Sequence, residues 1–317
     1  MPPENRTGLI KTCALATGLT TSEVLKIALT GPKRYKIYTI PKKSGGRRVI
    51  CHPSRELKAL QYVFLEHILK SLPVHEAATA YRTGLSIKDN ARAHAESRVI
   101  LKLDFTNFFP SIVVKDWNLY VEALRPDWSD TDRIFSALVL FWGAGGPRPS
   151  CLSIGAPTSP LISNAIMYEF DDNFSRFCRE NCLIYTRYAD DITISSKEFL
   201  NDTAVVGEIE RLLSVMAYPK LSLNPKKTRL ASKAGSRRVT GLVLANDGSV
   251  SLGRERKRLI RSMIHHVISG SSDPSTEDHL AGLLAFAGDI EPEFVNDLAR
   301  KYGSEALNLV KLRLRHR

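Results

Sequence analysis

RYADDITIS, residues 187–195, sets two adjacent aspartates, Asp190 and Asp191, among apolar and hydroxyl-bearing side chains that alternate. Such alternation belongs to a half-buried strand, from which aspartate is depleted. The conflict resolves if Leu183 to Tyr188 and Ile192 to Ser195 are two short strands and the pair occupies a tight hairpin turn between them. A turn tolerates aspartate and projects both carboxylates at its tip. Working outward, Val99 to Leu103 alternates in the same way and runs into Asp104, which therefore ends a strand.

If those strands are neighbours, three carboxylates meet. Phosphoryl transfer from a nucleoside triphosphate uses two divalent cations about 4 Å apart, one activating the attacking hydroxyl and one supporting the pyrophosphate. Magnesium takes only one or two carboxylates per ion, so a few aspartates on rigid strands suffice. Taken alone, an Asp-Asp pair is more often a pair of turn residues.

The whole chain is consistent with a large globular protein. Its 317 residues, 43% of them hydrophobic, can bury a core divided into two or three lobes. The longest apolar stretch, Ile134 to Trp142, is interrupted by Ser136 and is too short to span a bilayer; the start, MPPENRTG, has no signal-peptide core. A cytoplasmic protein with no membrane partner is expected. Five cysteines at no metal-ligand spacing read as reduced, mostly buried thiols, with no zinc.

The formal net charge is +12, and the excess is clustered. Between Lys220 and Arg238 lie Lys226, Lys227, Arg229, Lys233 and Arg237 with no acid among them, and RERKRLIR follows at 254–261. Such clusters suit a polyphosphate backbone, or simply a solvated face.

Along the chain, residues 1–31 read as a short helical segment and 35–50 as two strands around a Ser-Gly-Gly turn with a basic tip. Ser54 caps a helix with Leu57, Leu60, Phe64, Ile68 and Leu72 on one face. Residues 115–149 are mainly helical. Ser159 is expected as an N-cap with Pro160 at the first helical position, and Ile162, Ile166, Phe170, Phe174 and Phe177 as the buried face that follows. A helix from Thr203 to Met216, a hairpin at Asn246-Asp247-Gly248 and a helical C-terminal region complete the pass.

LKLDFTNFFPSI at 101–112, SIGAPTSPLISN at 153–164, YADD at 188–191 and LNPKKT at 223–228 together resemble, in order and spacing, the successive palm motifs of reverse transcriptases. The resemblance implies an α+β right-hand polymerase: an N-terminal helical segment (1–31), fingers (32–101), a palm with an antiparallel sheet and helices (102–240, with a finger-side insertion at about 115–150) and a helical thumb (241–317). It also implies that Asp104, Asp190 and Asp191, with the Phe105 carbonyl, hold two Mg2+ ions. Phe109 would lie under the sugar and exclude a 2′-hydroxyl. Gly155, Ala156 and Pro157 would floor the nucleotide, with Ile154 where many relatives carry glutamine. Lys42, Lys43, Arg47 and Arg48 would meet the triphosphate of the dNTP substrate. Lys227 would protonate the leaving pyrophosphate, or else is a surface lysine beside RNA.

RRVICHPSRELKALQ at 47–61, AYRTGLSIKDNARAH at 80–94 and RRVTGLVLANDG at 237–248 narrow this, since they resemble bacterial retron reverse transcriptases, including Asn90, Ala91 and His94 and the Val239-Thr240-Gly241 element. That implies a cognate structured noncoding RNA as primer and template, initiation from an RNA 2′-hydroxyl, and a branched RNA–DNA product, multicopy single-stranded DNA. RNA contacts are then expected at Val239, Thr240 and Gly241 and at Arg254, Arg256, Lys257, Arg258 and Arg261. In the plainer reading, Val239 to Gly241 is only a strand entering a hairpin, and Asn90 and His94 satisfy each other or nearby backbone. A group II intron or abortive-infection enzyme is a competing reading. So is an RNA/DNA-binding scaffold that restrains a toxic effector protein in antiviral defence.

Overall fold

Alternating sequence forms strands in the computed structural model, which describes residues 8–42 and 45–303. Tyr35–Pro41 (β1) pairs antiparallel with Arg47–Pro53 (β2), setting Tyr35 opposite Pro53 and Ile40 opposite Arg48. Four further strands, Val99–Asp104 (β3), Ile184–Tyr188 (β4), Asp191–Ser196 (β5) and Arg229–Ser232 (β6), make one sheet in the order β4-β5-β3-β6. Arg238–Val239 (β7), Leu242–Leu244 (β8) and Val250–Ser251 (β9) form a small antiparallel sheet. With the helices below, this is a mixed α+β protein.

The chain divides into two units. The first takes the described residues up to 83 with 102–193 and 201–229, and the second takes 84–101, 194–200 and the described residues from 230. In the first, helix starts follow capping chemistry. Thr20 and Glu23 close a capping box before Thr21–Leu29, Ser54 accepts from the Leu57 N–H ahead of Arg55–His67, and Asn201 caps Asp202–Val215. Leu57, Leu60 and Phe64 are buried at helical spacing.

Three local expectations shift. The helix expected to open after Ser159 begins at Ser159 itself, with Thr158 as N-cap and Pro160 in the first turn. The apolar run beyond it is broken at Met167 into Ser159–Ile166 and Tyr168–Glu180, and Phe177 is only half-buried. The hairpin turn consists of Ala189 and Asp190, with Ala189 at φ 56°, while Asp191 already opens β5. A two-residue turn favours positive φ at its first residue, which displaces the aspartate pair by one position.

The second unit packs Ile87–Ala93 and β7 to β9 with three helices, Arg254–Ile268, Pro274–Ile290 and Pro292–Tyr302. Its core includes Ala91, Val239, Leu242, Ile260, Leu284 and Phe294. Ser86 and Asp89 form the capping box of Ile87–Ala93, and Asp273 caps Pro274–Ile290 by accepting from the Thr276 N–H. Among the described residues, no helix is long and apolar enough to cross a membrane.

Candidate active site

Backbone bonds bring the carboxylates together within the first unit. The Phe105 N–H, just past the end of β3, donates to the Asp190 carbonyl at 3.1 Å, laying that strand end against the hairpin turn. On the other side, the Thr106 N–H donates to Ser222 at 2.9 Å, and the Asn224 N–H donates to the Asp104 carbonyl at 2.8 Å. The one-turn 3-10 segment Pro225–Lys227 then returns the Lys227 ammonium to both Asp104 oxygens, at 2.8 and 2.7 Å. Asp104 is buried, whereas Asp190 and Asp191 are half-buried.

This crowding shifts Asp190 and Asp191 upward. Burial first, and the Asp104 charge second, raise Asp190 above the usual carboxylate range. Burial, then the Asp190 charge, push Asp191 up to about 6 against the pull of Lys102, and its carboxyl is also hydrogen-bonded to Asp104. Burial works against the Lys227 cation, but its bonds to Asp104 and the charges of Asp190 and Asp191 hold it above its ordinary value. The ammonium therefore stays protonated at neutral pH.

Among the described residues, no group of three or more His, Cys, Asp or Glu is gathered tightly enough to close on a metal ion. Lys227 reaches both Asp104 oxygens. The donor set nevertheless suits a hard cation: carboxylate oxygens, no thiolate or imidazole, and repulsion that raises Asp190 and Asp191 and that a divalent ion would relieve.

The other expected residues of this unit differ in freedom. Phe108 is buried and stacked on Phe105 at 5.8 Å, so it fills the core, whereas Phe109 is half-buried, edge-on to Phe108 at 5.4 Å. Gly155, at φ 123°, leaves no room for a side chain: a Cβ there would lie 3.0 Å from the Cys51 carbonyl oxygen. The preceding Ile154 carbonyl accepts from the Cys51 N–H of β2 at 2.8 Å, so the turn is docked on that strand; Ala156 is buried and Gly155 exposed. Arg47 is tied to Thr39 Oγ1 at 2.6 Å, and Arg48 is exposed and exerts a lowering influence on Asp190. Lys43 lies outside the described residues.

In the second unit the basic residues sort by burial. Arg254, Arg258 and Arg261 are exposed, although Arg261 also lies over the Phe294 ring. Arg256 is half-buried against Phe286, and Lys257 is paired with Glu291 and lies over Phe294. Val239 is fully buried, so its side chain is core rather than an RNA-facing group; Thr240, at φ 47°, donates to the Ile87 carbonyl, and Gly241 is exposed. Arg237, counted with the basic cluster, is also fully buried and donates to the carbonyls of Ala95, Ser97, Leu244 and Ala245. It is unavailable to phosphate. His94 Nδ1 lies 2.7 Å from Ser195 Oγ, and burial lowers its pKa to about 3.

Sequence reasoning missed Arg187, Asp171 and Asn164, which are buried beneath the hairpin turn. The signal was present: Arg187 interrupts a strand two residues before the turn, and Asp171 stands beside Phe170 in an apolar face. It missed Tyr81 as well, which holds φ 61° with its ring centroid 6.4 Å from that of Tyr188.

A carboxylate cluster at a hairpin turn beside a lysine, in a unit that also docks a glycine turn on a basic hairpin, points to a nucleotidyl-transferring polymerase. Residues 40–244 match the family described as Reverse transcriptase (RNA-dependent DNA polymerase). The chain belongs to that family and is an RNA-directed DNA polymerase that takes an RNA template. Retron Ec83 reverse transcriptase of Escherichia coli is 38% identical to it, over 87% of this chain and 89% of that protein. Retron Ec73 reverse transcriptase of the same organism is 34% identical over 94% and 95%, and Retron Ec86 reverse transcriptase 32% identical over 93% and 91%. It is thus a retron-type reverse transcriptase. A telomerase structure from Candida albicans aligns with TM-score 0.45 and 12% identity over 87% of this chain, which spans 60% of that protein. Reverse transcriptases use divalent metal ions.

Proposed function

We propose that this chain copies part of a cognate structured noncoding RNA, its primer and template, into multicopy single-stranded DNA, beginning from an RNA 2′-hydroxyl. The gathering of Asp104, Asp190 and Asp191 beside Lys227, in a chain akin to retron enzymes over most of its length, carries this reading. In it, Asp104, Asp190 and Asp191, with the Phe105 carbonyl, would hold two Mg2+ ions, which would supply activation of the attacking hydroxyl and support for the pyrophosphate. Lys227 keeps Asp104 oriented and, protonated, serves as the general acid toward pyrophosphate. Arg47 and Arg48, with Lys43, meet the triphosphate, Phe109 excludes a ribose 2′-hydroxyl, and Gly155 and Ala156 form the nucleotide floor.

Fingers are assigned to 32–101, palm to 102–240 and thumb to 241–317. Exposed Arg254, Arg258 and Arg261, with Gly241, face the RNA through phosphate and 2′-hydroxyl contacts; Arg256 and Lys257 support them from the half-buried side. The protein works in the cytoplasm, and its RNA–DNA product contributes to antiviral defence.

The test is Asp190→Asn. Deoxynucleotide incorporation on the cognate RNA should vanish while RNA binding, followed by filter retention, stays near parental. Extension at the parental rate would remove the aspartates from the mechanism. For the wild type, a product that a 2′,5′-debranching enzyme fails to resolve would exclude 2′-hydroxyl priming.

A further inference from the structure

The polar residues beneath the Ala189–Asp190 turn have no part in the chemistry above, yet they form an extended buried hydrogen-bond network. Arg187, in β4, and Asp171, in the helix Tyr168–Glu180, are both fully buried. Arg187 grips Asp171 with two nitrogens, Nε at 2.9 Å and Nη2 at 2.6 Å, and the Tyr185 hydroxyl donates to the same carboxylate at 2.6 Å. Its remaining nitrogen, Nη1, donates to the Ala189 carbonyl at 3.1 Å and to Asn164 Oδ1 at 3.2 Å. Asn164 extends the chain of bonds, donating from Nδ2 to the Ala80 carbonyl at 2.9 Å.

Both ends of this network hold unusual backbone. Ala189 sits at φ 56° and Tyr81, next to Ala80, at φ 61°. Left-handed conformations are uncommon outside glycine and persist where the surroundings over-determine them, often at functional sites. The segment before Tyr81 is laid along β4 as well, with the Arg187 N–H donating to Ala77 at 2.7 Å and the Thr79 N–H donating to Arg187 at 2.9 Å. A buried ion pair is weak support for stability, because apolar residues of similar size often serve as well. What a bidentate guanidinium adds is fixed orientation.

We infer that Arg187, Asp171 and Asn164 form a positioning network that fixes the Ala189–Asp190 turn and the Ala80–Tyr81 peptide in one geometry, so that the Asp190 carboxylate is presented in a set place. This rests on the reading that Asp190 is a metal ligand. None of the three is a catalytic residue; each acts through the turn it holds.

Four proteins are compared: the parent, Asp190→Asn, Asn164→Ala, and the triple variant Arg187→Met, Asp171→Leu, Tyr185→Phe, which replaces the ionic cluster with apolar groups. Measured are kcat and KM for deoxynucleotide, binding of Mn2+ followed by electron paramagnetic resonance, and melting temperature. Asn164→Ala should lower kcat roughly 10- to 100-fold with KM little changed, as a small displacement of a reacting group does. It should also weaken Mn2+ binding. The triple variant should melt at or above the parental temperature and remain slow and weak in Mn2+ binding. Parental kcat and Mn2+ affinity in Asn164→Ala, or their recovery in a stable triple variant, would reduce the network to packing. If the triple variant does not fold, Asn164→Ala decides alone. Persisting activity in Asp190→Asn would instead overturn the metal-site reading, whatever the network variants do.

Discussion

Asp191 shows how the site's chemistry is set at the scale of one residue. Burial and the neighbouring Asp190 raise its carboxyl from 3.8 to about 6. A carboxyl raised in the folded protein holds its proton more tightly there than in the unfolded chain. Its stability contribution is therefore present below the ordinary value and lost as pH rises through about 6. Asp191→Asn is accordingly expected to be inactive yet more stable than the parent at neutral pH in EDTA, by on the order of 1 kcal/mol given the partial solvent exposure of the group. At pH 4 the gain should disappear. Thermal denaturation at the two pH values checks this, and a variant less stable than the parent at both would mean that the carboxylates do not repel as described. Residue identity was readable here from spacing alone, since an aspartate pair between alternating strands has few places to go. Its pKa was not, because burial, the largest cause of the shift, is made by segments distant in the chain.

At the scale of elements, the turn at 154–157 and β2 form one unit of construction. Gly155 at φ 123° lets the chain pass close to Cys51, and the Ile154 carbonyl then accepts from the strand. A methyl group meets both obstacles at once: a conformation L side chains avoid, and a backbone oxygen 3.0 Å away that cannot retreat like a flexible side chain. Gly155→Ala is expected to destabilise the protein by more than about 1 kcal/mol and to raise KM for deoxynucleotide. Unfolding curves and steady-state kinetics measure the two effects; unchanged KM would detach this turn from nucleotide binding. The elements themselves were largely legible, because the Ser54 cap and a hairpin at the aspartate pair are written in neighbouring residues. The misplacements, one residue at Ser159, one at Asp191 and a helix break at Met167, arose where backbone geometry rather than periodicity decides the boundary.

For the whole molecule, charge was visible from the outset and its availability was not. The net charge of +12 counts Arg237, whose guanidinium is buried on four backbone carbonyls, equally with exposed Arg254 and Arg258. Replacing Arg254, Arg258 and Arg261 with glutamine should weaken binding of the cognate RNA and reduce the salt dependence of log K by up to about 0.7–0.9 per lost phosphate contact. Titrations at several salt concentrations read this directly; an unaltered slope would place the RNA elsewhere.

Local pattern by itself determined the strand-turn-strand around Asp190, the strand ending at Asp104, the Ser54 cap and the ordered motifs of a reverse transcriptase, since each depends on residues a few positions apart. Only the tertiary structure decided that Lys227 reaches Asp104 across 123 positions, that buried Arg187 donates to the Ala189 carbonyl of the hairpin turn, and which arginines remain exposed. Burial and partnership are properties of segments that meet in space, and no window of sequence contains both sides of such a contact.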